Sequence, residues 1–172
     1  LNPVDVGVYA VAILFVQILT LIPTAVQRVT APATATLYGK GDIIGVRKIT
    51  YSTMKKSFLI SLCIAIFIIC TGQYLITILF TEQYLPAYVP LIILLIGHTI
   101  FAPYLAIGST LASIGKVKLQ FHLNAIIAIL NVVLNIIFIP SLGLIGASLA
   151  TMLTYIINFI IKVLFINKYL SL

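Results

Sequence analysis

Residues 57–80 read SFLISLCIAIFIICTGQYLITILF, without one charged side chain. A bilayer core needs about 20 consecutive apolar residues in a helix, and this stretch supplies them. Working outward, four further stretches qualify or nearly do: 6–27, 87–113, 119–139 and 143–166. The chain is 62% hydrophobic and 8% charged, where a soluble domain carries about 25% charge. So few charges cannot cover an aqueous surface, and the fold class follows: all-α, a polytopic transmembrane bundle of about five helices.

The ten Lys and Arg residues fix an expected orientation. Arg28, Lys40, Arg47, Lys48, Lys55 and Lys56 lie between the first two helices, Lys116 and Lys118 between the third and fourth, and Lys162 and Lys168 at the end of the fifth. The connections 81–86 and 140–142 and the segment Leu1–Asp5 hold none. This alternation is the positive-inside pattern and predicts an N-terminus outside and a C-terminus in the cytoplasm. It also accounts for the net charge of +7 through topology and anionic lipid rather than nucleic acid. The chain begins with Leu and shows no basic signal region, so it is expected to be the C-terminal piece of a longer protein, with at least one helix before Leu1.

Polar residues within the apolar stretches are the candidates for function, since such groups face protein or water rather than lipid. Gln17, Thr20, Thr24 and Arg28 form one stripe on the first helix at spacings of three and four. His98 sits on the third, between Pro90 and Pro103, which together with Gly97 and Gly108 are expected to break or soften it. Asn124, Asn131 and Asn135 share a face of the fourth, and Thr151, Thr154, Asn158 and Lys162 a stripe on the fifth. From these, Gln17, Thr24, Arg28, His98, Asn131, Asn135, Asn158 and Lys162 are candidates for lining a substrate cavity. The competing reading is helix–helix hydrogen bonding for the amides, packing for His98, and for Lys162 snorkelling to the cytoplasmic interface.

Other features read as structural. Pro23 is expected to kink the first helix. Asp42 is a suitable N-cap after the Gly39–Gly41 break, opening a short helix towards Lys56 within an amphipathic cytoplasmic connection, 28–56, apolar side to lipid. Gly143, Gly146, Ala147 and Ala150 are spaced for close backbone packing, and the Pro140–Leu142 turn predicts a tight antiparallel hairpin. Tyr9, Tyr74, Tyr51 and Tyr169 fit an aromatic belt. Cys63 and Cys70, about 10 Å apart along one helix, are too distant for a disulfide and read as packing residues. The three acidic residues, Asp5, Asp42 and Glu82, are separated along the chain and form no catalytic pair. No catalytic residue, metal ligand or cofactor is expected, and the protein is not expected to be an enzyme.

Several segments resemble the polysaccharide exporters, flippases of the O-antigen and teichoic-acid type. That family belongs to the superfamily that includes the multidrug and toxin extruders and the lipid II flippase. Asp5-Val6-Gly7-Val8-Tyr9-Ala10 is similar to the family's VGxYxxA helix opening, and Thr36 through Asp42 to its LYxxGD loop. Gly108 to Gly115-Lys116, Asn131 to Asn135, Ile139-Pro140 and Gly143 to Thr151 resemble its hairpin. The resemblance covers essentially the whole chain. It implies that residues 1–172 form the C-terminal lobe, helices eight to twelve, of a two-lobed exporter whose N-terminal lobe is missing. It implies further that an oligosaccharide linked to a polyprenyl pyrophosphate moves to the outer leaflet of the cytoplasmic membrane by alternating access through a cavity between lobes. Such cavities often carry cations for the pyrophosphate, and here Arg28 and Lys162 are the basic residues near bilayer depth. The alternatives are a drug or cation exporter of the same superfamily and a fragment of a membrane-embedded polyprenyl-sugar transferase.

Overall fold

The structure is a computed structural model and describes residues 3–170. It is helical throughout: α1 (Pro3–Gly39), α2 (Ile43–Phe80), a 3-10 turn (Glu82–Ala87), α3 (Tyr88–Ile107), the short α4 (Thr110–Ser113) and α5 (Val117–Leu170). Leu1, within the expected lobe, lies outside the described residues.

The turn between α1 and α2 is built by Gly41 and Asp42. Gly41 has φ +76°, and Asp42 N–H donates to Leu37 O at 3.0 Å while Gly41 N–H donates to Tyr38 O at 3.0 Å. This is a Schellman close, in which a left-handed glycine lets two orphan carbonyls of the helix end find donors. Asp42 then caps α2, its Oδ1 accepting from Gly45 N–H at 2.7 Å. The 28–56 connection is therefore helical on both sides of a turn at 40–42. The helix opened by Asp42 is not short but continues to Phe80.

The amphipathic face of residues 43–56 also differs from expectation. Its inner side faces protein rather than lipid: Val46 is fully buried in a cluster with Ile107, Leu111, Ile114, Leu123 and Ile166. Thr50 and Thr53 are buried beside it, while Arg47, Lys48, Lys55 and Lys56 are exposed. At about 1.5 Å per residue α2 is far longer than the hydrocarbon core, so its basic turns lie beyond it and find an apolar partner in the ends of the other helices.

Helix α3 is the axis of the bundle, packed against α1, α2 and α5. Neither proline breaks it. Pro90 is the third residue of α3, where the missing N–H had no helical partner to lose. The break falls instead at Gly108–Ser109, before α4. The carbonyls left free there are taken by side chains: Thr30 Oγ1 donates to Ala106 O at 2.9 Å, and Gln120 Nε2 and Tyr104 Oη donate to Gly108 O at 2.8 and 3.1 Å. Gly97 does not soften α3 but lets it approach α5, since a Cβ at 97 would lie 2.8 Å from Met152 Cα.

Helix α5 is two rods. Gly143 has φ +55° and ψ −128°, outside helical space and open mainly to glycine. The chain reverses there, because Asn131 Nδ2 donates to Thr154 Oγ1 at 3.2 Å, twenty-three residues on. In an unbroken helix those residues would be about 35 Å apart. Gly146 sits against the Phe138 carbonyl with no room for a Cβ, as the small-residue spacing predicted. Among the described residues, four helical segments are long and apolar enough to cross a membrane, α5 among them, and its reversal makes five apolar rods. Two cores hold them. Val8, Phe15, Leu19, Ile68, Leu91 and Leu95 fill one end; Phe101, Tyr104, Leu111, Ile166 and Leu170 fill the basic end. Cys63 and Cys70 are free thiols and are exposed on α2 rather than packed.

Candidate functional site

Between α1, α3 and both arms of α5 lies a cavity of about 520 Å³, within the range of small-ligand sites. Each polar stripe reaches it from its own helix. Gln17 and Thr20 line it from α1, His98 from α3, Asn131 and Asn135 from the first arm of α5, and Thr151 and Thr154 from the second. The helical repeat explains the grouping, since residues three and four apart share a face. Tyr9, Tyr155 and apolar residues such as Ile13 and Leu94 complete the wall.

Some of these polar atoms are engaged internally. Asn135 Nδ2 donates to Asn131 O at 2.9 Å and to Asn131 Oδ1 at 3.1 Å. Asn131 reaches Thr154, whose hydroxyl donates to Ala150 O at 2.7 Å. His98 Nδ1 lies 3.0 Å from Leu94 O and must be the donor, because a carbonyl only accepts. The His98 ring meets Tyr155 edge-on at 4.6 Å, and Tyr155 stacks on Phe101 at 4.6 Å and 3°. His98 thus packs against Tyr155 and also lines the cavity.

Other candidates stand elsewhere. Thr24 turns back on its own helix, its hydroxyl donating to Thr20 O at 2.8 Å, and is absent from the cavity wall. Arg28 is exposed a turn further on. Asn158 and Lys162 are buried between helices. Lys162 does not snorkel: its side chain is fully buried, Nζ donates to Tyr104 Oη at 3.0 Å and to Asn124 Oδ1, and it stands 4.9 Å from the Tyr104 ring. The physical reason is that Tyr104 and Asn124 already offer oxygens at that depth. One turn earlier, Asn158 Oδ1 is buried with no hydrogen-bond partner among the described residues.

Sequence reasoning missed the tyrosines. Tyr9 lines the cavity and faces the side chains of Ser148 and Thr151, whereas Tyr74 is 70% exposed. The belt reading suits Tyr74 and fails for Tyr9. The available signal was position: Tyr9 lies three turns before Thr20 and on nearly the same face.

A multi-pass helical bundle with a partly open cavity carrying polar side chains among apolar rods defines a membrane protein of the polytopic helical class. The chain belongs to the MatE family of membrane transporters, whose model matches residues 1–137. It is 33% identical over 166 residues, 94% of this chain and 32% of the relative, to the uncharacterized membrane protein MJ1068 of Methanocaldococcus jannaschii. It is 24% identical to the probable low-salt glycan biosynthesis flippase Agl15 of Haloferax volcanii, across 97% of this chain and 35% of that protein. It is also 24% identical to the capsular polysaccharide biosynthesis protein CapF of Staphylococcus aureus, across 83% and 36%. The chain thus spans about a third of the length of these relatives. The likeness to polysaccharide flippases read from the motifs therefore holds. No solved structure matches the chain.

Proposed function

We propose that the chain is the C-terminal part of a transporter that flips lipid-linked polysaccharide repeat units across the cytoplasmic membrane by alternating access. The observation that carries this reading is the polar cavity itself, placed at the meeting of α1, α3 and the α5 hairpin and surrounded by apolar helix. It is supported by the names of the Haloferax and Staphylococcus relatives. The facing wall of the chamber comes from an N-terminal lobe, in keeping with the share of the relatives that this chain covers. The basic connections face the cytoplasm, and the start of α1 faces outward. Substrate is a saccharide on a polyprenyl pyrophosphate, and the protein moves it without chemical change. A drug or cation exporter of the same superfamily is the second reading; among the described residues, no Asp or Glu lines the part of the cavity that this chain supplies.

Gene deletion followed by leaflet-resolved labelling of lipid-linked oligosaccharide tests the proposal. The expected result is accumulation on the cytoplasmic leaflet and loss of surface glycan. Unchanged surface glycan, with new sensitivity to a cationic dye, would replace it with the drug-exporter reading.

A further inference from the structure

On the side of α3 away from the chamber, an open groove of about 340 Å³ runs between α2, α3 and the second arm of α5. Met54 and Phe58 line it from α2, Ile100 and Pro103 from α3, and Phe159 from α5. On α3, Ile100 and Pro103 point away from Leu94 and His98, which line the chamber. The floor is apolar, and the two polar side chains of the groove, Tyr51 and Lys55, both stand on its α2 wall.

Its level along the bundle is that of a membrane boundary. The charge-free stretch 57–80 begins at Ser57 and, at about 1.5 Å per residue, runs about 36 Å, against a hydrocarbon core of about 30 Å. Phe58 therefore falls at the edge of the hydrocarbon, with Lys55 and Tyr51 at headgroup level. The Tyr51 hydroxyl donates to Asn167 Oδ1, which ties this wall to α5. The Arg47 guanidinium lies 5.8 Å from the centre of the Tyr51 ring. Arg47, Tyr51 and Lys55, spaced by four, thus share one face of α2.

Charge selects the occupant. Asp5 and Glu82 lie at the far end of the bundle. Asp42 is about 20 Å along α2 from Lys55, and its carboxylate accepts from Gly45 N–H. The rim is therefore cationic, above an apolar floor. A phospholipid presents the matching halves, a hydrocarbon chain and a phosphate. Beyond the phosphate, a choline or ethanolamine group would bring a second cation up to Arg47, whereas a glycerol group would not.

We propose that this groove binds one anionic phospholipid of the leaflet at the basic end. A hydrocarbon chain lies over Ile100, Pro103 and Phe159, and Lys55 and Arg47 hold the phosphate. The inference goes beyond the transport reading and needs only the membrane-spanning class of the chain.

Native mass spectrometry of the full-length transporter tests it, with phosphatidylglycerol and phosphatidylcholine of the same acyl chains as probes. The native protein is expected to bind phosphatidylglycerol more tightly. Lys55 and Arg47 are exposed, so Lys55→Gln and Arg47→Gln leave the core intact. Each is expected to weaken phosphatidylglycerol about fivefold, the usual share of one basic side chain at an anionic surface, and to leave phosphatidylcholine unchanged. Lys40→Gln, exposed at the same end but outside the groove, is expected to change neither. Ile100→Trp fills the floor and, in a protein with the native melting midpoint, is expected to weaken phosphatidylglycerol. Equal affinity of the native protein for the two lipids would overturn the inference. So would equal weakening by Lys40→Gln and Lys55→Gln, the mark of diffuse surface charge, or full affinity in a folded Ile100→Trp protein. Tighter binding of a polyprenyl diphosphate than of phosphatidylglycerol, lost in Lys55→Gln, would overturn it by giving the groove to a different lipid. None of these outcomes bears on the flippase reading, which the leaflet-resolved labelling decides.

Discussion

Replacing Gly146 by alanine probes the α5 hairpin at its tightest point. A Cβ at residue 146 would overlap the Phe138 carbonyl oxygen and lie 2.6 Å from its carbon and 3.1 Å from Ile139 N. These are backbone atoms of a helix and cannot swing aside as the end of a side chain can. The two arms must separate, loosening the Asn131–Thr154 hydrogen bond between them. Overpacking of this kind costs about 1–3 kcal/mol. The better helix propensity of alanine returns about 0.5–1 kcal/mol. The two ranges leave a net loss of up to about 2.5 kcal/mol, centred at about 1 kcal/mol. Gly39→Ala is the control, since nothing lies within 4 Å of a Cβ there and the change should stay within about 0.5 kcal/mol. Unfolding in mixed dodecylmaltoside–SDS micelles, followed by circular dichroism, measures both. A Gly146→Ala protein as stable as the native one, with Gly39→Ala also unchanged, would refute the close antiparallel packing of the two arms.

Lys162→Met removes a buried ammonium whose hydrogen-bond partners are neutral, while Tyr104 keeps its bond to Gly108 O. Apolar replacement of buried ionic groups is commonly neutral or stabilising by about 1–4 kcal/mol, so the same titration should show no loss; a clear loss would mean that the hydrogen bonds outweigh desolvation. Asp42→Ala should destabilise the protein by about 1 kcal/mol and Asp42→Asn by less, read from the same curves, because the cap accepts from Gly45 N–H. Cys63 and Cys70 face outward on apolar turns of α2, so an aqueous maleimide should label neither in intact membranes and both after SDS unfolding. Rapid labelling of the membrane-bound protein would place that face in water.

Much of the fold was legible because a bilayer leaves few choices. Length without charge marks a crossing, and Asp42 after two glycines marks a helix start whatever surrounds it. The hairpin was legible for the same local reason: Pro140, Gly143 and Gly146 constrain backbone rather than contacts. What failed depended on tertiary placement. Pro90 reads as a breaker until its position in the first turn of α3 is known, and the true break at Gly108 is stabilised by Thr30 and Gln120 from distant segments. Lys162 reads as a snorkelling residue until Tyr104 and Asn124 are seen beside it. The cavity was half legible. Periodicity grouped Gln17 with Thr20 and Asn131 with Asn135. It could not say that Thr24 and Arg28, further along the first stripe, fall outside the wall, nor that Tyr9 turns inward.

Sidedness tests the central claim most directly. In a protein lacking Cys63 and Cys70, single cysteines replace Lys40, Gln83, Lys118 and Ser141, each exposed or in an interhelical connection. Impermeant maleimide is applied to intact cells and to inverted vesicles. Five crossings with the basic end inward require Gln83→Cys and Ser141→Cys to label only in cells, and Lys40→Cys and Lys118→Cys only in vesicles. Labelling of Ser141→Cys and Lys118→Cys from the same side would contradict it.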